Sequence, residues 1–237
     1  MTTAPLTGGP PGAGSDRLVG PDRLVGPDRL VGSDRLVGPD RLVRPDRPGP
    51  ALTACALVAG LAGALAVRVG LAGGAGVRSI PAGLVFAGIL TAVAIAARPR
   101  CPLTAGPPRR QLVVGCTGAL VLCAVPLTVH LRQPGGALPL AELPTWAAVV
   151  SAVAIAEELL LRGALWEVTA GRWGTGGALV VTTPAFALLH VPLYGWPALP
   201  LDLAVGLLLG GLRLAARGWG APAAAHTLAD LAGWWLR

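Results

Sequence analysis

From Ala51 to Arg237 the chain runs through one apolar stretch after another, separated only by short Pro, Gly and Arg clusters. A helix of about 20 apolar residues matches the roughly 30 Å hydrocarbon core of a bilayer. Charged residues make up 13% of the chain and hydrophobic ones 53%, whereas a soluble domain carries about 25% charge. Such a chain lacks the polar groups to cover a water-facing surface. The pattern predicts an all-α fold, a multi-pass transmembrane bundle of about seven helices, with spans near 51–67, 81–97, 112–131, 145–170, 177–191, 198–214 and 219–236.

The charges that remain are unevenly placed. Residues 1–50 hold six of the twelve acidic residues, in a hexapeptide repeat with Asp-Arg at Asp16, Asp22, Asp28, Asp34, Asp40 and Asp46. Gly-Pro or Gly-Ser breaks in each repeat interrupt any helix, and the segment has too little apolar mass for a core. Three regions follow: a disordered repeat tail at 1–50, N-terminal transmembrane helices at 51–143, and a polar-bearing helical core at 144–237. All nineteen basic residues are Arg, giving a net charge of +7. They are spread between spans, so a lipid bilayer explains them and nucleic acid does not. Counted from Arg35 onward, eleven Arg residues fall on the side of the tail and four (Arg68, Arg78, Arg132 and Arg237) on the other. That asymmetry predicts a cell-membrane protein with a cytoplasmic N-terminus. Cys55, Cys101, Cys116 and Cys123 form no CxxC pair and are expected to be small buried thiols. Trp146, Trp173, Trp196, Trp219, Trp234 and Trp235 lie near span ends, as in an interfacial belt. Gly206 and Gly210 predict close helix packing.

The fourth span contains Glu157, Glu158 and Arg162. Each such charge costs roughly 2.5–3.5 kcal/mol near mid-bilayer on insertion scales. Glu158 and Arg162, at i and i+4 with Glu first, form a helical ion pair that locks packing. Glu157 points about 100° away and has no partner on its own helix. Phe186 and His190 share one face of the fifth span, and His226 and Asp230 one face of the seventh. A membrane histidine is often a helix-to-helix hydrogen bonder, and His130 is read that way. His190 and His226 differ because their depths agree. Glu157 lies seventeen residues before Gly174 and His190 sixteen after it. A hairpin turning at Gly174 therefore brings both level, roughly 20 Å from the turn. His226 and Asp230 lie roughly 12–18 Å from the turn near Gly218. Independent packing accidents have no reason to share a layer, so an intramembrane site is predicted.

These residues resemble three motifs of the CAAX-processing and bacteriocin-processing (CPBP) family of membrane proteases. Glu157-Glu158-Leu159-Leu160-Leu161-Arg162 is similar to its Glu-Glu-x-x-x-Arg motif. Phe186-Ala187-Leu188-Leu189-His190 is similar to Phe-x-x-x-His, and His226-Thr227-Leu228-Ala229-Asp230 to His-x-x-x-Asn or Asp. The resemblance covers about 144–237. It implies an endopeptidase acting on a membrane-associated protein or peptide, with Glu157 and His190 activating a water. It implies an oxyanion site at His226 and position 230, where prenyl-processing members carry Asn. Asp230 then serves only as a protonated carboxyl, the form that apolar surroundings favour. Glu158, Arg162 and Phe186 take structural roles.

The residues by themselves support the same chemistry. A buried carboxylate beside an imidazole suits general-base activation of water, and two opposing polar groups suit a developing oxyanion. Glu157, His190 and His226 also form a catalytic zinc set, two His and one carboxylate. His-Glu-x-x-His is absent, and the resemblance implies no cofactor. No Ser or Cys is paired with a His at useful spacing. Two other classes remain open: a proton-coupled transporter, which shares intramembrane ionisable residues, and a non-catalytic immunity or scaffold protein.

Overall fold

A computed structural model describes residues 49–97, 106–133, 135 and 139–236. The repeat tail predicted at 1–50 therefore lies, up to residue 48, outside the described residues. Among the described residues seven α-helices follow one another: α1 (Pro50–Ala72), α2 (Ile80–Ala97), α3 (Pro108–Arg132), α4 (Leu143–Glu158), α5 (Trp166–Tyr194), α6 (Leu199–Ala216) and α7 (Gly220–Ala232). A π-helical segment, Leu159–Leu165, joins α4 to α5 without a break. No strand occurs among the described residues, and the protein is an all-α membrane bundle.

Local chemistry sets the boundaries. Proline stands in the first turn of α1, α3, α4 and α6, where its missing N–H has no helical partner to lose. The α5 helix breaks at Gly174, whose φ of 71° is left-handed and favours glycine. That break is the turn predicted at the same residue. Four segments, 50–72, 80–97, 108–132 and 196–216, are long and apolar enough to cross a membrane unaided. This is fewer than the seven spans expected. Of the remaining helices α7 has 13 residues and reaches only about 20 Å, while α4 continues through the π segment into α5, which turns at Gly174.

The bundle belongs to a unit spanning Pro45–Arg237. Its centre is formed by Phe86, Leu90, Leu160, Leu161, Leu165, Phe186, Leu189 and Leu209, nearly all fully buried. Large apolar side chains such as Leu120, Val180 and Leu131 point outward, which suits contact with lipid tails rather than water. Cys55 and Cys116 are exposed and Cys123 half-buried, so the expectation of buried thiols fails for them. Against lipid, an apolar thiol gains little from moving inward. Gly206 is buried, and a Cβ there would lie 3.1 Å from the Thr183 carbonyl oxygen. The predicted close approach of α6 to α5 is therefore real.

Two side-chain contacts tie helices together, one polar and one aromatic. Buried Gln111 of α3 donates from Nε2 to the Ala216 carbonyl (3.0 Å) and accepts from the Ala221 N–H (2.7 Å). It thereby ties α3 to the α6–α7 turn. Trp146 of α4 packs on Trp234 beyond α7, with ring centroids 4.9 Å apart. With Trp234 buried, this pair is a tertiary contact between α4 and the segment after α7.

Candidate active site

The polar residues of the core segment converge. Glu157, His190, His226 and Asp230 line one cavity of about 420 Å³, together with Tyr194 and Arg68. The equal depth inferred from the hairpin register is therefore matched by a shared wall. The four side chains reach it from three elements: Glu157 from the end of α4, His190 from the second half of α5, His226 and Asp230 from α7.

Behind the cavity lies a fully buried ion pair. Arg162 Nη1 donates to Glu158 Oε1 at 2.8 Å, with both side chains wholly inaccessible. Arg162 Nη2 donates to the Gly206 carbonyl (3.0 Å), and its guanidinium lies 4.7 Å over the Phe186 ring. The pair predicted from spacing is present, although it spans the junction into the π segment. That segment has its own support, since Arg213 Nε donates to the Arg162 carbonyl (3.0 Å). Arg213 also pairs with Glu167.

The histidines are oriented by their neighbours. His190 Nδ1 is 2.9 Å from the Phe186 carbonyl oxygen. A carbonyl only accepts, so Nδ1 carries the hydrogen, and a neutral ring keeps its lone pair on Nε2. His226 Nδ1 is 3.2 Å from Glu158 Oε1, and its Nε2 is 3.7 Å from Asp230 Oδ2. By the same logic an ionised Glu158 fixes the hydrogen on Nδ1 and leaves Nε2 turned toward Asp230. Phe186 is the spacer, 4.5 Å from the His190 ring and 5.5 Å from that of His226. Glu158 is thus more than the Arg162 counter-ion: it also holds His226.

Residues 139–232 match the family model described as type II CAAX prenyl endopeptidase, Rce1-like. This segment, less than half of the chain, is similar to that family's domain. It begins before α4, ends with α7, and contains all seven site residues predicted from the sequence. The resemblance to CAAX-type membrane proteases is thereby shown, and it places the protein among multi-pass membrane proteins. No curated protein and no solved structure matches the chain.

Two residues of the cavity were not anticipated. Arg68 of α1, outside the Rce1-like segment, lies 3.8 Å from Glu157 Oε1 and 4.7 Å over the Phe86 ring. Glu157 lacks a partner on its own helix but gains one from another. Gly70 does not end the helix, so α1 extends past the predicted end at 67, to Ala72, and carries Arg68 inside it. Tyr194, the single tyrosine, stacks on His190 at 5.7 Å and extends the Phe186–His190 spacing by one more turn. His130, at the end of α3, lies outside the cavity lining. Among the described residues no group of three or more His, Cys, Asp or Glu is arranged to hold a metal ion.

Proposed function

We propose that the Rce1-like segment is an intramembrane endopeptidase that cleaves a membrane-associated protein or peptide with a Glu157/His190-activated water. The observation that carries this reading is the gathering of Glu157, His190, His226 and Asp230 on one cavity inside an apolar bundle. Glu157 takes a proton from the water while His190 Nε2, free of the Phe186 carbonyl, holds the water oxygen through its other hydrogen. The oxygen attacks the peptide carbonyl, whose electron pair moves onto its own oxygen. His226 faces that oxyanion with Asp230 at its side. Collapse of the adduct breaks the C–N bond, and the amine leaves with the proton held by Glu157. Glu158 and Arg162 keep His226 and α6 in place. No cofactor takes part, and no step runs through zinc.

The test is a substrate trap. Cells making Glu157→Gln or the unmodified protein are compared by mass spectrometry of protein termini and of co-purifying membrane proteins. The proposal expects new termini only with the active protein, and the same proteins retained uncleaved on the Gln variant. Identical termini in both samples would refute it.

A further inference from the structure

Arg68 needs an explanation that helix packing does not supply. It sits in α1, a helix of mean hydropathy 2.0, where an arginine is costly. Its side chain is turned inward to the cavity, 8% exposed. It shares that cavity with Glu157, Asp230 and Tyr194, which reach it from three other helices. The distance to Glu157, 3.8 Å, is longer than a hydrogen bond, so the guanidinium is near the carboxylate without being committed to it. Asp230 is the complementary oddity. Protonated or not, its carboxyl offers no N–H to an oxyanion, and ionised it would add a second negative charge to the wall that Glu157 already occupies.

Resting on the endopeptidase reading, we propose that Arg68 is a further catalytic residue, the cationic donor that stabilises the oxyanion in this Asp230-bearing site. The charge balance of the reaction favours it. In the resting site Arg68 faces the Glu157 carboxylate. When water attacks, its proton neutralises Glu157, and the negative charge appears on the former carbonyl oxygen. The guanidinium then exchanges one anion for another in the same cavity, and its five N–H groups satisfy the new one by hydrogen bonds. Because the resting contact is loose, little is lost from the ground state and the interaction is made mainly in the transition state. When the C–N bond breaks, the proton leaves Glu157 with the amine and Arg68 regains its first partner. Position 230 and Arg68 are therefore coupled: an amide at 230 donates to the oxyanion and relieves the need for Arg68.

The experiment measures kcat and KM on an internally quenched farnesylated peptide with a free C-terminal carboxylate, in detergent micelles. The variants are Arg68→Met, Arg68→Lys, Asp230→Asn and Arg68→Met/Asp230→Asn, with Glu157→Gln as reference. Arg68→Met is expected to lower kcat by roughly 10²–10³-fold with little change in KM, as loss of an oxyanion donor does. In the Asp230→Asn background the same substitution is expected to cost about tenfold or less. Arg68→Lys keeps the charge and is expected to recover most of kcat. A loss below about threefold, or an equal loss in both backgrounds, would overturn the proposal, since a packing role is indifferent to position 230. Should Arg68→Met aggregate, Arg68→Lys is compared with Arg68→Gln: an active Lys and a folded, impaired Gln support the proposal, and equal activities overturn it. Cleavage abolished by Glu157→Gln but untouched by every Arg68 variant removes Arg68 alone. No cleavage by the unmodified protein overturns the endopeptidase reading and this proposal together.

Discussion

Replacing Glu158 with Gln tests the division of labour between the two adjacent glutamates. Glu158 is fully buried and its Oε1 serves both Arg162 at 2.8 Å and His226 at 3.2 Å. Glutamine fills the same space but brings one carbonyl acceptor, no charge, and an amide that faces two donors. Arg162, equally buried, keeps only the Gly206 carbonyl and the Phe186 ring. Leaving a buried charge without its counter-ion costs roughly 3–5 kcal/mol. The retained carbonyl acceptor places this case near 3 kcal/mol, about a hundredfold in the folding equilibrium. Glu157→Gln loses only the loose contact with Arg68, worth about 1 kcal/mol or less. Equilibrium unfolding in mixed micelles, titrated with SDS and followed by tryptophan fluorescence, measures both. The double variant Glu158→Leu/Arg162→Met, which replaces the pair by hydrocarbon, is expected to return most of the loss. The reasoning fails if Glu157→Gln is the more destabilised of the two, or if the double variant is no better than Glu158→Gln.

Other predictions follow from the same geometry. Reporter fusions at Gly106 and Gly174 are expected to read cytoplasmic and one at Gly135 external, as the Arg asymmetry requires; the reverse at two of the three contradicts it. Gly206→Leu is expected to cost about 1–3 kcal/mol by overpacking, because its Cβ would meet the Thr183 carbonyl and the Phe186 ring at 3.1 and 3.4 Å. The SDS titration reads that cost directly. His190→Ala is expected to lower kcat by roughly 10²–10⁴-fold, His226→Ala by roughly 10²–10³-fold, and Asp230→Asn by no more than about tenfold. The peptide assay ranks the three.

Much of the site was legible because its signals are local. Charges inside an apolar span, i,i+4 spacing and distance from a glycine turn need only one helix or one hairpin. They gave the Glu158–Arg162 pair, the Phe186–His190 face and the shared depth of Glu157 and His190. Arg68 was not legible as a site residue, because its meaning depends on α1 lying beside the α4–α5 junction, a contact between distant parts of the chain. The π segment was hidden for a related reason. Leu159–Leu165 contains no breaker before Gly163, and its register is supported by Arg213 from α6. The count of about seven helices was legible from apolar stretches, but their lengths were not: α7 is only 13 residues long. Trp146 and Trp234 were read as belt residues since each sits near a helix end, and only tertiary structure shows them packed together.

The central claim is a water activated by Glu157 and His190 without a metal. It is tested most directly by the activity of purified protein after exhaustive chelation, with metal content determined on the same sample. The account predicts undiminished cleavage of the farnesylated peptide at metal content far below one ion per chain, and loss of that cleavage in Glu157→Gln. Activity that disappears on chelation and returns with stoichiometric zinc would contradict it and make Glu157, His190 and His226 ligands.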